Sequence, residues 1–129
     1  MIYGVGTDVV EVSRIANALE RFGDDFAKKI LSPEEFLAFQ KNNLKENFLA
    51  KRFAAKEAFV KSLGTGFRNG VNFNDISVIN NKSGKPQLHL SNKLKLFMIN
   101  KFKIKKFKIN LSLADEAKHS IAFVIINKI

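Results

Sequence analysis

The 129-residue sequence contains no cysteine, which excludes a disulfide framework, a thiolate metal site and a cysteine nucleophile. No apolar run approaches the roughly 18 residues that a membrane span needs. The start, from Met1 to Asp8, lacks the charged segment and unbroken apolar core of a signal peptide. We therefore expect a single domain over residues 1–129, located in the cytoplasm and not bound to a membrane.

Acidic residues are missing between Ile76 and Ala114, where lysine recurs at positions 93, 95, 101, 103, 105, 106 and 108. The formal net charge is +10, and a field of that size attracts nucleic acid, acidic proteins or phosphorylated cofactors. The lysine cluster is either such a binding surface or only a solvated face of a Lys-, Asn-, Phe- and Ile-rich chain. Apart from Tyr3 the aromatic residues are all Phe, mostly at core-like positions instead of interleaved with lysine, so no nucleic acid partner is expected.

The first ten residues alternate like a β-strand and place Gly4, Gly6 and Asp8 on one face. Glycine inside a strand lets another backbone or a ligand approach closely. The cleared face is therefore suited to a ligand beside Asp8 or to tight packing against a helix.

A predicted amphipathic helix follows over residues 12–30, with Gly23 as a candidate break. Arg14, Arg21 and Lys28 are spaced seven residues apart and form a basic rim along it. This rim is a candidate surface for an acidic partner.

Two further helices have clear end signals. The segment Ser32-Pro33-Glu34-Glu35 has the spacing of a capping box, so the second helix begins at Pro33. The third runs over residues 45–63, with Gly64 at its C-terminal cap.

The second half of the chain changes to the period of two that is typical of half-buried strands. Alternation on both sides of residues 80–86 predicts a hairpin, Ser91 can cap a lysine-rich helix, and two strands close the chain. The predicted order is β-α-α-α-β-β-α-β-β, which is a single α+β domain.

Glu57 lies in the apolar stripe of the third helix, together with Leu49 and Phe53. An ionised carboxylate there would be partly desolvated and needs a partner. The partner is either a cation such as Lys56 or Lys61, in an ordinary ion pair, or a metal ion.

Asp8 on the strand and Glu57 on the helix are the kind of pair that holds magnesium when substrate phosphates and water complete the shell. Lys61 follows Glu57 by four residues and is either its salt-bridge partner or a phosphate-binding lysine. The turn Gly64-Thr65-Gly66 either offers backbone amides to a phosphate or merely ends the helix. His89 and His119 have no partner at metal-ligand spacing and are interpreted as non-catalytic.

Taken together, four segments resemble the holo-[acyl-carrier-protein] synthase family over nearly the whole chain. The family begins with a Gly-Ile-Gly-x-Asp-type strand and carries a Lys-Glu-Ala-x-x-Lys helix. The matching segments here are Gly4-Val5-Gly6-Thr7-Asp8, Lys29-Ile30-Leu31-Ser32-Pro33-Glu34-Glu35, Lys56-Glu57-Ala58-Phe59-Val60-Lys61 and Ser83-Gly84-Lys85-Pro86.

This resemblance implies a magnesium-dependent transferase of the 4'-phosphopantetheinyl transferase type. The enzyme would move 4'-phosphopantetheine from coenzyme A to a serine of apo acyl carrier protein, for fatty acid biosynthesis, and release 3',5'-ADP. Asp8 and Glu57 would bind Mg²⁺, and Lys61 would contact the phosphates of coenzyme A, so that Glu57 and Lys61 are the catalytic residues. The remaining pocket residues implied are Arg52, Lys56, Gly64, Thr65 and Gly66.

The resemblance also implies a homotrimer with active sites at subunit interfaces, and docking of an acidic carrier-protein helix on Arg14, Arg21 and Lys28. One segment departs from the family. Many relatives carry a Ser-His-Thr-like sequence before the last strand, where this chain reads Leu111-Ser112-Leu113-Ala114-Asp115-Glu116. His119 lies further along and is not assigned the missing role.

Two other classes compete with the transferase. A small nucleic-acid-binding protein would explain the positive charge but not a carboxylate in an apolar helical stripe. A non-catalytic scaffold that binds the carrier protein would not need Asp8, Glu57 and Lys61 together. The transferase interpretation accounts for all of these features.

Overall fold

The computed structural model describes residues 1–68 and 70–129, and its element order confirms the predicted α+β fold with one additional helix. Its strands are β1 (Ile2–Glu11), β2 (Ile76–Asn80), β3 (Pro86–Leu90), β4 (Phe107–Asp115) and β5 (His119–Lys128). Its α-helices are α1 (Val12–Phe22), α2 (Asp24–Ile30), α3 (Pro33–Lys41), α4 (Lys45–Leu63) and α5 (Asn92–Phe102). A short 3-10 turn at Phe73–Asp75 precedes β2. Across the two described ranges, no helix is long and apolar enough to span a bilayer.

The additional helix arises because Gly23 divides the segment predicted as one helix over residues 12–30. Gly23 has φ 64° and ψ −146°, a backbone conformation that is essentially limited to glycine, and its N–H closes α1 on the Leu19 carbonyl. The predicted continuous basic rim is therefore wrong. Arg14 and Arg21 belong to α1, whereas Lys28 belongs to α2.

The other helix ends in the first half are confirmed as predicted. Ser32 Oγ accepts the Glu35 N–H and Glu35 Oε1 accepts the Ser32 N–H, which forms the capping box that starts α3. Gly64 follows α4 in the left-handed conformation, with φ 85°. These short-range signals fix where α3 begins and where α4 ends along the chain.

The strands form two antiparallel sheets, a three-stranded sheet in the order β1-β5-β4 and the β2-β3 hairpin. Helix α4 packs on β1 and β5. A Cβ atom added to Gly4 would lie 1.9 Å from the Ser62 carbonyl oxygen, and one added to Gly6 would lie 1.9 Å from the Ala58 oxygen. The glycines therefore admit the backbone of α4, which is the packing alternative that the sequence left open.

Helix α4 is the centre of the molecule, since it also contacts α1, α2, α3, β2 and β4. More than half of its residues are buried, among them four alanines, so it has no single apolar stripe. The three-stranded sheet is covered by α4 on one face only. On the other face Val5, Val9, Ile121 and Phe123 are 40–61% exposed.

Candidate active site

Asp8 lies on the face of β1 that turns toward α4, two residues after Gly6, and its side chain is only 14% exposed. Lys61, near the end of α4, donates from Nζ to Asp8 Oδ1 at 2.9 Å and to the Thr7 carbonyl oxygen at 3.1 Å. The close approach of α4 to the glycine positions of β1 makes this contact possible. Of the two alternatives for Lys61, the salt bridge with Glu57 is not formed, because Lys61 is paired with Asp8, and the phosphate contact stays a prediction.

Glu57 is half-buried on α4, one turn before Lys61. Burial raises the pKa of Glu57, the negative charge of Asp8 raises it further, and the ammonium of Lys61 opposes both effects. Within the described part of the chain, no Lys, Arg or His nitrogen lies within 4.0 Å of the Glu57 carboxylate. Two carboxylates therefore share a single neighbouring cation.

Asp8 and Glu57 open into one cavity of about 290 Å³ between β1, α1, α2 and α4. Arg14 is the basic side chain at its wall. The rest of the lining is mainly apolar and comes from Val9, Val10, Ile15, Ala18, Phe26 and Phe53. The cavity thus combines a polar corner, able to receive a cation and phosphates, with an apolar wall.

The donor set of this cavity fits a magnesium ion. Among residues 1–68 and 70–129 there is no group of three or more His, Cys, Asp or Glu side chains arranged to hold a metal. Asp8 and Glu57 could thus supply only part of an octahedral shell, and water or substrate oxygens would have to complete it. Mg²⁺ is usually bound in this way, through one or two carboxylates together with phosphates.

The structure does not support the implied contact of Lys56 with coenzyme A. Lys56 is fully buried, and its Nζ lies 2.6 Å from Glu35 Oε1 and 2.6 Å from the Ile30 carbonyl oxygen. The physical reason is helical rotation, because consecutive residues of a helix point about 100° apart. Lys56 therefore faces α3, whereas Glu57 faces the cavity.

Arg52 lies one turn before Lys56 and shares its side of α4. Its guanidinium carbon is 3.6 Å from the ring centroid of Phe48, and Nε is 3.9 Å from Glu35 Oε2. Burial lowers the pKa of Arg52, and the charge of Glu35 opposes this effect. A contact between Arg52 and coenzyme A stays a prediction.

The turn Gly64-Thr65-Gly66 uses two of its amides to end α4. The Gly64 N–H bonds to the carbonyls of Val60 and Lys61, and the Thr65 N–H bonds to that of Val60. Thr65 Oγ1 is buried and has no hydrogen-bond partner in the described part of the chain. The hydroxyl of Thr65 is a polar group that a ligand phosphate could use, whereas the amides of Gly64 and Thr65 are already bonded, and the pocket role of the turn stays a prediction.

The three residues implied in carrier-protein docking are all exposed. Arg14 borders the cavity, Arg21 lies over the Phe22 ring and Lys28 lies over the Phe36 ring. They occupy two helices that meet at Gly23 and not one helical stripe. Their docking role stays a prediction.

His119 lies away from the cavity. Its Nδ1 is 2.8 Å from Glu116 Oε1. In the β1-β5 pairing His119 is opposite Glu11 and Ala122 is opposite Asp8, so His119 and Asp8 project from opposite faces of the sheet. This placement agrees with leaving His119 without the role of the missing family histidine.

Sequence reasoning missed Glu35 beyond its place in the capping box. Its carboxylate is buried and also accepts bonds from Lys56 and from the Val78 N–H. Lys56 and Val78 lie 21 and 43 positions after Glu35 in the sequence, and no local pattern connects residues that are so far apart. The one signal was the position of Lys56 next to the small residues Ala54 and Ala55 of α4, where a buried lysine would need a partner.

Comparison with known proteins places this geometry in a family. Residues 4–124 match the 4'-phosphopantetheinyl transferase superfamily. The chain is 46% identical over 127 residues to a holo-[acyl-carrier-protein] synthase of Pelagibacter ubique, covering 98% of each sequence. It is also similar to the crystal structure of holo-[acyl-carrier-protein] synthase from Neisseria meningitidis, with 42% identity, a TM-score of 0.91 and coverage of 99% of this chain and 100% of that one.

The synthase of Bacillus anthracis, solved in complex with CoA (3',5'-ADP), is 33% identical with a TM-score of 0.80, over 98% of this chain and 96% of that one. Sequence and fold agree over nearly the full length in each case. The chain therefore belongs to the 4'-phosphopantetheinyl transferase superfamily, within its group of holo-[acyl-carrier-protein] synthases.

Proposed function

We propose that this chain transfers the 4'-phosphopantetheine group of coenzyme A to a serine of apo acyl carrier protein. The observation that carries the proposal is the pair of carboxylates, Asp8 on β1 and Glu57 on α4, which open into one cavity beside the Lys61 ammonium. Membership of the family and its relatives named for this activity support it. The serine Oγ forms a bond to the phosphorus next to pantetheine while the bridging P–O bond breaks, and 3',5'-ADP leaves with the electron pair.

Asp8 and Glu57 are the residues that would hold Mg²⁺. When bound there, the ion would neutralise charge on the pyrophosphate and make the phosphorus more electrophilic. Lys61 projects from the same face of α4, half-exposed, and its ammonium can turn from Asp8 to the pyrophosphate oxygens. There it would stabilise negative charge as that charge develops on the leaving group.

Glu57 is also suited to receive the serine proton. Glu57 is half-buried and opens into the cavity in which the serine would react, so its carboxylate is within reach of that proton. We propose that it takes the proton through a water molecule. The apolar wall of the cavity, including Phe26 and Phe53, limits access of other water to the reacting phosphorus.

The carrier protein would approach along α1 and α2. Arg14 is both exposed and part of the cavity wall, so an acidic helix docked on it would bring its serine to the cavity. Arg21 and Lys28 extend this positive surface beyond the Gly23 break. Electrostatic steering of this kind accelerates association and weakens as salt increases.

We further propose that the chain forms a homotrimer through the open face of its three-stranded sheet. Val5 and Val9 of β1 and Ile121 and Phe123 of β5 form a contiguous apolar surface there, because Val9 pairs with Ile121 and the neighbouring Thr7 pairs with Phe123. Surfaces of this kind usually mark association sites. Sedimentation equilibrium of the wild type and of Phe123→Lys tests this: a trimer that becomes a monomer in the variant is expected, and a wild-type monomer contradicts it.

The decisive experiment is the intact mass of apo acyl carrier protein after incubation with this chain, coenzyme A and Mg²⁺. A gain of one phosphopantetheine is expected with the wild type and with Asp24→Ala, an exposed aspartate at the start of α2. No gain is expected with EDTA or with Asp8→Ala. Absence of any gain with the wild type across several carrier proteins contradicts the function, and a gain in EDTA contradicts the metal. A cytoplasmic location stays a prediction, which cell fractionation tests.

A further inference from the structure

The buried group formed by Glu35, Lys56 and Arg52, here called the rear cluster, lies on the side of α4 turned away from Asp8. Glu35 and Lys56 are 3% and 0% exposed. Glu35 Oε1 accepts from Lys56 Nζ at 2.6 Å and from the Ser32 N–H at 2.9 Å, and Oε2 accepts from the Val78 N–H at 2.8 Å. Both oxygens of the carboxylate are therefore bonded within the protein.

The contacts of this cluster join four separate segments. Lys56 Nζ also donates to the Ile30 carbonyl oxygen at the end of α2. Glu35 belongs to the first turn of α3, and Val78 to β2. The cluster thus ties α4 to α2, α3 and β2 at a single point.

Stability alone does not account for a buried charge pair. Removing two charges from water is costly, and apolar side chains of similar volume in the same place are often equally or more stabilising. Directional hydrogen bonds, however, specify one orientation in a way that apolar contacts do not. Helix α4 is in particular need of such a contact, because it is buried on several sides and has no single apolar stripe to define its rotation.

Lys56 immediately precedes Glu57, so the rotation that directs Lys56 to Glu35 also directs Glu57 to the cavity. We infer that the Glu35–Lys56 pair positions α4 about its axis and thereby holds Glu57 and Lys61 opposite Asp8. The inference rests on the proposed function, since it assigns these two residues a positioning role for that site. Neither of them touches the cavity.

The expected size of the effect follows from helix geometry. A side chain that ends roughly 6 Å from the helix axis moves by about 1.5 Å when the helix turns by about 15°. A displacement of about 1 Å at a reacting group can reduce the rate by about 100-fold. If α4 could rotate by a few degrees about its axis, metal affinity and turnover would therefore fall without unfolding of the chain.

The test uses Glu35→Gln combined with Lys56→Met, which removes both charges together. The matched control is Lys51→Met, the same substitution at a partly exposed position of α4 that pairs with Asp115 at 3.8 Å. Three quantities are measured for each protein: the melting temperature, kcat for transfer, and the dissociation constant of Mn²⁺ with coenzyme A present and carrier protein absent. Free Mn²⁺ is followed by its paramagnetic resonance signal, and Mn²⁺ serves as the probe because it shares the oxygen ligands of Mg²⁺.

A double variant that stays folded is expected to bind Mn²⁺ at least 10-fold more weakly and to show a kcat at least 30-fold lower. Lys51→Met should match the wild type in both. A folded double variant with both values within twofold of the wild type overturns the inference, because a purely structural role would change only the melting temperature. If the double variant does not fold, Glu35→Asp decides: it keeps the charge but shortens the reach, and wild-type values in it overturn the inference.

The proposed function has its own outcome in the same experiment. A wild-type protein that neither transfers phosphopantetheine nor binds Mn²⁺ contradicts the proposed function, whatever the variants do. An active wild type with equally active variants contradicts only the positioning role.

Discussion

The two sides of α4 carry charged clusters of opposite character. The rear cluster is closed at Glu35, because both oxygens of that carboxylate are bonded and Glu35 and Lys56 lie in the core, while the buried Arg52 Nε has no hydrogen-bond partner in the described part of the chain. The front cluster of Asp8, Glu57 and Lys61 is open, because two carboxylates share one half-exposed ammonium beside a cavity. Native proteins rarely leave buried polar groups without partners. This difference is what the two proposals explain: the rear cluster would position α4, and the front cluster would bind a ligand.

The strongest test of this contrast is the single substitution Lys56→Met. It removes the cation that is hydrogen-bonded to the buried Glu35 carboxylate and leaves only Arg52, whose Nε is 3.9 Å away. Breaking a buried pair typically costs about 3–5 kcal/mol. We expect a loss of about 4 kcal/mol in the free energy of unfolding, measured by urea denaturation. Adding Glu35→Gln to this variant should recover most of the lost stability. If Lys56→Met alone were as stable as the wild type, the Glu35–Lys56 pair could not be a buried charge pair that depends on both partners.

The next test concerns the close packing of α4 on the glycines of β1, which brings Lys61 to Asp8. In Gly6→Ala the added Cβ would lie 1.9 Å from the Ala58 carbonyl oxygen, so α4 must move away from β1. We expect a loss of about 3 kcal/mol in the free energy of unfolding, since overpacking against a rigid backbone cannot be relieved by a side-chain rotation. Gly64→Ala is the control, because a Cβ there meets nothing within 4 Å and only the positive φ costs about 1 kcal/mol. Equal losses in the two variants would show that α4 and β1 are not tightly packed.

A smaller effect, of opposite sign, is expected for Glu57→Gln. Folding raises the pKa of Glu57, so its contribution to stability is complete below its unfolded pKa of about 4.3 and is lost as pH rises through the folded pKa. Glutamine carries no charge to lose. The variant should therefore be more stable than the wild type at neutral pH, by less than about 1 kcal/mol after solvent screening, and the gain should disappear near pH 4.

Thermal melting between pH 4 and 8 measures this gain, with Glu20→Gln on the exposed side of α1 as control. Transfer activity should meanwhile fall by about 1000-fold, or about 4 kcal/mol, because the proposed metal ligand and proposed base are lost together. A variant that is less stable than the wild type at neutral pH would show that Glu57 has a protein partner and is not awaiting a ligand.

The smallest effect is expected for Lys51→Met. The pair that Lys51 forms with Asp115 spans 3.8 Å, and the two side chains are 34% and 40% exposed. Exposed pairs of this kind contribute about 0–1 kcal/mol. A change of less than about 0.5 kcal/mol in the free energy of unfolding would show that burial, and not lysine as such, makes Lys56 important. If Lys51→Met lost as much unfolding free energy as Lys56→Met, the buried and exposed lysines of α4 would not differ in their importance for stability.

Those parts of the fold with short-range signals could be predicted from the sequence. Ser32 and Glu35 form their capping box within four residues, and Gly64 adopts the positive φ that ends α4. Alternation alone indicated the hairpin and the closing strands. The break at Gly23 was recognised as a candidate, but local spacing could not show that it separates Lys28 from the arginines of α1.

The candidate site depended on contacts that spacing does not encode. Lys61 had Glu57 four residues away as a local partner, yet it bonds to Asp8, 53 residues distant. Lys56 pairs with Glu35 across 21 residues. In both cases the partner is decided by which face of α4 meets β1 or α3, and that face is set by packing over the whole domain. The glycines of β1 were correctly identified as a cleared face, but only the three-dimensional structure shows that a helix uses the clearance.

The bond between Lys61 and Asp8 has a consequence for the order in which ligands load. Because Lys61 Nζ is already bonded to Asp8 Oδ1, a metal ion that bound this carboxylate would compete with the ammonium for that oxygen. The exchange becomes easier when a phosphate is present to receive the displaced ammonium. Metal and phosphate should therefore bind with positive linkage, each raising the affinity for the other by the same factor. Such a site would respond more strongly to the two ligands together than to a divalent ion alone.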